Sequence, residues 1–170
     1  MSEVPVIGTD DDIEALYKKG WNEAFISVGS VGDVRIRKKL YEMVKSYGIS
    51  IATIIDPTAI VANNCEIKEG VYIGKKAVVN TNSLVKECAI LNTGSIIEHD
   101  CVVGSFSHIS PGTTICGNVS IGDETHIGAG TVVIQGISVG SQSIVGAGSV
   151  VVKDIPTKVK AYGNPCKVVQ

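Results

Sequence analysis

At 170 residues the chain has room for one domain, or one plus a small appendage, with a sizeable core. Its formal net charge of −2 carries no electrostatic footprint for a nucleic acid or an anionic membrane, and it has no run of about 18 apolar residues to span a bilayer. Apolar residues reach 44% with only two Phe, one Trp and five Tyr, which argues against a bulky aromatic core and suits thin layers of Val and Ile.

In chain order, residues 1–12 end in three acids and lack a basic or apolar leader region, so they do not read as a signal peptide. Thr9 followed by Asp10, Asp11 and Asp12 reads as a helix N-cap with acids in the first turn, and Gly20 marks the stop. Residues 23–28 are predicted as a strand. Residues 30–33 lead into a helix reaching about Tyr47, with Gly48 as its C-cap. Ile36, Leu40, Val44 and Tyr47 form its expected apolar stripe, with Arg35, Arg37, Lys38, Lys39 and Lys45 facing elsewhere. Residues 51–55 form the next strand, ended by Asp56-Pro57. Residues 1–56 thus read as a piece of a small α/β domain.

From Val61 the pattern changes. Every sixth residue is aliphatic: Val61, Ile67, Ile73, Val79, Val85, Leu91, Ile97, Val103, Ile109, Ile115, Ile121, Ile127, Val133, Val139, Val145 and Val151. Four residues after most of these sits a small or β-branched residue, such as Ala77, Ser83, Cys101, Ser107, Thr113, Thr131 or Ser149. Glycine follows the aliphatic at Gly74, Gly104, Gly122, Gly128, Gly140 and Gly146, where it is expected to relax the backbone near a corner. A period of six fits neither a helix nor a twisted sheet. It fits a triangular coil in which three hexapeptides make an 18-residue turn and stacked turns make three parallel sheets. Slightly more than five coils are expected, over residues 57–156. The period does not fix the hand of the coil. Residues 157–170 form a tail, Ala161-Tyr162-Gly163-Asn164-Pro165-Cys166-Lys167, expected to fold back on the last coil.

Cys65, Cys88, Cys101, Cys116 and Cys166 are odd in number and include no CxxC, as expected of a cytosolic protein bearing free thiols. The three histidines, His99, His108 and His126, all lie in the repeat, outside the inward slots. The plain reading of each is a solvated side chain. His99 stands out, because imidazole titrates near neutrality and Asp100 or Glu98 beside it could orient the ring. His126 follows His108 by 18 residues, so the two stack one coil apart. A metal site there lacks further ligands, and a surface position is expected for His126.

Residues 91–104, Leu-Asn-Thr-Gly-Ser-Ile-Ile-Glu-His-Asp-Cys-Val-Val-Gly, and 107–112, Ser-His-Ile-Ser-Pro-Gly, resemble the sialic-acid O-acetyltransferase and bacillosamine/perosamine N-acetyltransferase family of hexapeptide-repeat acyltransferases. The resemblance covers roughly residues 22–168. It implies a left-handed parallel β-helix, a homotrimer, a cytoplasmic location, acetyl-CoA as co-substrate, no metal, and an acceptor that is a nucleotide-linked amino sugar or sialic acid. It gives His99 the role of general base and Asp100 that of the acid raising its basicity. His108 and Gly117 match positions at the thioester end of acetyl-CoA, and Ala129 and Ala147 match contacts along the pantetheine arm. Lys167, and more weakly Lys153, match the adenosine end. His99 and His108 lie one and a half triangle sides apart, so a shared site calls for a neighbouring subunit. Cys101 falls in a small inward slot, as filler rather than an acyl carrier. The family's first strand and its Gly-rich turn have no counterpart here, so residues 1–56 are expected to be a truncated, Rossmann-like, nucleotide-sugar-binding subdomain. Gly29-Ser30-Val31-Gly32 is a Gly-rich turn between a strand and a helix, read first as a plain connection and alternatively as a place where N–H groups meet phosphate, with Gly29 as the substrate-binding candidate. The competing readings are transfer to an amine, transfer to a hydroxyl, and a non-catalytic trimeric scaffold.

Overall fold

The computed structural model describes residues 4–169, so the first three residues of the leader reading lie outside the described residues. From Ile54 onward, two-residue strands alternate with corners, and the chain visits three sheets in rotation. Face 1 carries Ile54–Ile55, Tyr72–Ile73, Ile90–Leu91, His108–Ile109, His126–Ile127 and Ile144–Val145. Face 2 carries Ile60–Val61, Val78–Val79, Ile96–Ile97, Thr114–Ile115, Val132–Val133 and Val150–Val151. Face 3 carries Glu66–Ile67, Leu84–Val85, Val102–Val103, Ser120–Ile121 and Ser138–Val139. Pairing is parallel with an 18-residue offset, as where Ile97 lies between Val79 and Ile115.

The aliphatic of every hexapeptide points inward, and from Ile73 to Val151 each is at most 2% exposed. Each such burial contributes roughly 1.5–3 kcal/mol, so a thin core suffices without aromatics. Most of the small slots beside it are equally buried, and several of their hydroxyls donate to corner carbonyls of the next coil, as Ser83 Oγ to Glu98 O and Ser107 Oγ to Gly122 O, whereas Ser95 Oγ has no partner among the described residues.

This parallel solenoid makes about six turns rather than five. Ile54–Ile55 already pairs with Tyr72–Ile73 before the repeat is legible, and Lys160–Tyr162 adds a further strand to face 1. Lys167–Val168 then folds back antiparallel on Lys160–Tyr162, giving the tail a strand.

The glycines after the aliphatic have a different reason from the one expected. A Cβ on Gly122 would stand 2.4 Å from Ser141 N, and one on Gly128 2.4 Å from Ala147 N, so the next coil approaches too closely for a side chain. Corner relaxation falls instead on the second corner residue. Every sixth residue from Gly70 to Gly148 has positive φ, including Asn82, Asp100 and Asn118.

Ahead of the solenoid, a short 3-10 turn (Asp10–Asp12), closed by the Thr9–Asp12 capping box, leads into α1 (Ile13–Lys18). β1 (Glu23–Ala24) pairs parallel with β2 (Ser50–Ile51) across α2 (Arg35–Ser46). The strand expected over 23–28 is therefore short. The one expected over 51–55 splits between this pair and face 1.

On α2 two expectations reverse: Ile36 is 64% exposed, whereas Arg37 is only 2% exposed. The Arg37 guanidinium donates to the carbonyls of Ile26, Val28 and Cys88, tying the loop after β1 to the solenoid. Three carbonyls take up both terminal nitrogens of the buried cation, leaving Nε without a partner among the described residues, and an isoleucine in its place would leave all three carbonyls unpaired. The rest of α2 seats on the corner between faces 3 and 1. There Tyr41 OH donates to Glu69 and packs edge-on against Phe106, and Lys38 and Lys45 pair with Glu124 and Glu69. Among the described residues no helix is long and apolar enough to cross a membrane.

Candidate active site

His99 and Asp100 form the corner between faces 2 and 3, one coil below Gly117 and Asn118. Asp100 adopts φ +59, and this left-handed turn brings its carboxylate back onto the preceding ring, where His99 Nδ1 and Asp100 Oδ2 lie 2.8 Å apart. This settles the choice between neighbours, since Glu98 accepts instead from Asn80 Nδ2. The hydrogen bond from His99, then that from Asn82, holds the Asp100 carboxyl below its ordinary range, so it is ionised near neutrality and can only accept. In the neutral ring Nδ1 therefore carries the proton, which leaves the lone pair on Nε2. Nε2 has no protein partner among the described residues, and the ring is 54% exposed.

Gly117 makes room for that nitrogen. A Cβ on this buried glycine would stand 2.5 Å from His99 Nε2. Cys101 is buried beneath the corner, its Sγ set 3.1 Å from Cys116 O, and burial pushes its thiol above the usual value. It is filler.

The other two histidines are spent. His108 Nδ1 donates to Ser30 O at 2.6 Å, which leaves Nε2 to accept from Asn92 Nδ2 at 3.2 Å, and burial lowers its pKa. His126 is 9% exposed rather than at the surface, its pKa pushed down to about 4 by burial and then by His108. It lies in register between His108 and Ile144, its ring 5.0 Å from that of His108. The Ser30–Gly32 loop lies over this part of face 1, close enough that a Cβ on Gly32 would stand 2.7 Å from Ile144 Cδ1. That cover comes from a distant segment, and no local pattern announces it. Among the described residues no group of three or more His, Cys, Asp and Glu is disposed to hold a metal.

His108 sits where two depressions meet. One, of about 390 Å3, runs along face 1 between Val31, Pro111, Ala129, Ile144 and Ala147. The other, of about 350 Å3, lies under the loop after β1 and is lined by Phe25, Val28, Gly29, Arg37 and Tyr72. Gly29, His108, Ala129 and Ala147 are thus brought together. His99, Asp100 and Gly117 are not among them: in the triangular section, their corner stands opposite face 1. Lys153 is exposed on the same corner side as His99, three coils or roughly 14 Å along the stack. Lys167 is exposed in the returning strand, next to face 1. Sequence reasoning missed Arg37 and Asn92 as cavity-lining residues, and Asn92 lay in plain sight within the motif.

Residues 118–153 match a family model described as the hexapeptide repeat of succinyl-transferase. Among curated proteins none matches the chain. Solved structures are much closer. PerB from Caulobacter crescentus, in complex with CoA and GDP-perosamine, is 36% identical, with a TM-score of 0.94 over 100% of this chain and 81% of its own. The acetyltransferase domain of PglB from Neisseria gonorrhoeae FA1090, in complex with acetyl coenzyme A, is 37% identical, with a TM-score of 0.89 over 99% of this chain and 80% of its own. WeeI from Acinetobacter baumannii AYE is 27% identical, with a TM-score of 0.81 over 86% of this chain and 70% of its own.

Proposed function

The chain belongs to the sialic-acid O-acetyltransferase and bacillosamine/perosamine N-acetyltransferase family of hexapeptide-repeat acyltransferases, and within it we propose an acetyl-CoA-dependent enzyme that acetylates the amine of a nucleotide-linked amino sugar for cell-surface glycan synthesis. The observation that carries this reading is the His99 ring, with Asp100 on Nδ1, a free lone pair on Nε2 and a side-chain-free Gly117 in front of it.

In the proposed step His99 Nε2 takes a proton from the acceptor amine as its nitrogen attacks the thioester carbonyl carbon. The C–N bond forms, the C–S bond breaks, and the imidazolium returns its proton to the departing thiolate. Asp100 holds the tautomer and stabilises the imidazolium. The N–H of Gly117 is the candidate donor to the charge developing on the carbonyl oxygen. The groove past His108, Ala129 and Ala147 has small or apolar walls and suits a thin pantetheine arm, with Lys167 and Lys153 as candidates for the adenosine end. Gly29 opens the cavity assigned to the acceptor. In this scheme residues 1–56 bind the acceptor, 57–156 form a left-handed transferase coil and 157–170 close it, in a cytoplasmic homotrimer.

Because His99 stands on the corner opposite the groove, one chain cannot present both to one substrate pair. A site between subunits of a trimer resolves this. The test is thiol release from acetyl-CoA with UDP-, dTDP- and GDP-linked amino sugars and free sialic acid. One amino sugar is expected to support turnover, and His99→Ala to lower it by about 100-fold or more with acetyl-CoA binding intact. Mixing His99→Ala subunits with Ala129→Phe subunits is expected to restore activity. Turnover undiminished in His99→Ala would remove the base, and no recovery on mixing would remove the shared site.

A further inference from the structure

Asn64, Asn82 and Asp100 occupy the same corner in successive coils, 18 residues apart, with φ +57 at Asn82 and +59 at Asp100. Asparagine and aspartate tolerate this left-handed conformation better than other side chains, and it stacks their polar groups along the solvent edge. Thr81 Oγ1 lies 2.9 Å from Asn64 Oδ1, Asn64 Nδ2 2.6 Å from Asn82 Oδ1, and Asn82 Nδ2 3.2 Å from Asp100 Oδ1. Asp100 Oδ2 then meets His99 Nδ1 at 2.8 Å.

The direction of every bond in this series is forced. An ionised carboxylate only accepts, so Asn82 must turn its NH2 toward Asp100 and its oxygen toward Asn64. Asn64 must then donate to Asn82, and its own oxygen is left for the Thr81 hydroxyl. Read from the far end, the series delivers a donor to Asp100 Oδ1 and leaves Oδ2 aimed at the ring. We infer that Asn82 is a positioning residue: acting through Asp100 from the coil below, it fixes His99 in the tautomer whose Nε2 is free. This rests on His99 being the base. Without Asn82, Asp100 is steadied only by the ring it is meant to steady. Both groups are half exposed, so carboxylate and imidazole are free to swing together.

Two substitutions in the full chain test it. Asn82→Gly keeps the left-handed backbone and removes the amide, and Asn82→Asp keeps shape and backbone preference but replaces the donor with a repelling carboxylate. In Asn82→Gly, kcat is expected to fall about 10-fold, the low end for one hydrogen bond to a charged group because both partners of the pair are half exposed, with the KM for acetyl-CoA unchanged. In Asn82→Asp, kcat falls further. The 15N shifts of His99, read in the resting protein above the titration of the ring, lose Nδ1–H character in both variants. A merely structural role predicts the reverse order, with Asn82→Asp the milder change. An unchanged tautomer ratio in both variants, or parental kcat together with a parental ratio in Asn82→Asp, overturns the inference. A shifted ratio without loss of kcat instead places the failure in the assignment of His99 as base.

Discussion

Adding one methyl group at Gly117 separates the glycine proposed to serve the reaction from the architectural ones. A Cβ there would stand 2.5 Å from His99 Nε2, 2.6 Å from Cε1 and 3.2 Å from Cδ2. Ordinary contact begins near 3.5 Å, so the ring must retreat by about 1 Å. It is anchored behind by the 2.8 Å bond to Asp100, and that retreat turns it off the carboxylate and away from its substrate. A 1 Å misplacement costs on the order of 100-fold in rate. Gly117→Ala is therefore expected to lower kcat about 100-fold in the thiol-release assay, with acetyl-CoA binding retained. Its melting temperature should stay within about 2 °C of the parent, since the displaced ring is an exposed side chain and no core contact changes. Gly122→Ala is the control. Its Cβ would strike Ser141 N at 2.4 Å and the Gly140 carbonyl carbon at 2.8 Å, and backbone cannot withdraw without parting the coils. A loss of about 1–3 kcal/mol is expected, with parental turnover in the fraction that remains folded. A Gly117→Ala protein that melts early but turns over normally would refute the reasoning.

The buried histidines set an acid limit. His126 ionises near 6.5 when unfolded but only at about 4 in the fold. The folded state thus binds fewer protons between these values, and the stability present above about pH 6.5 drains as pH falls toward 4. His126→Phe should flatten the decline in melting temperature across that window, and parallel curves for the two proteins would contradict this. Arg37→Met removes the donor from Ile26 O, Val28 O and Cys88 O. It should destabilise the docking of the N-terminal unit by about 1–3 kcal/mol for each carbonyl left buried without a donor, read as faster amide exchange over residues 24–29 while the solenoid stays protected. Equal protection in parent and variant would discount the clamp.

The solenoid was legible because its code is short-range: one aliphatic every six residues decides which side chain faces in, whatever the rest of the chain does. The signal failed at both ends, where Ile54–Ile55 and Lys160–Tyr162 join face 1 by pairing with a coil rather than by pattern. Arg37 was misplaced because a cation is exposed by default, and its three acceptors come from segments 9 to 51 residues away. His126 was misplaced for a related reason, since the loop covering face 1 belongs to another part of the chain. The His99–Asp100 pair was half legible. Adjacency suggested it, but choosing Asp100 over Glu98 required the left-handed corner. That slot had a signature in the sequence: from Gly70 to Gly148 it holds Gly, Asn or Asp at nine of fourteen positions.

The coil also imposes a grammar on insertions and deletions. Losing one residue inside the repeat would turn every downstream aliphatic out to water and every polar neighbour in, much as a frameshift garbles a message. Losing six would preserve the core but carry His108, Ala129 and Ala147 round to a different side of the prism, stranding them from the Ser30–Gly32 loop. Only whole 18-residue units can be gained or lost while all three sides keep their meaning, so homologues of this chain should differ in length within the repeat by that quantum, or by loops bulging from a corner.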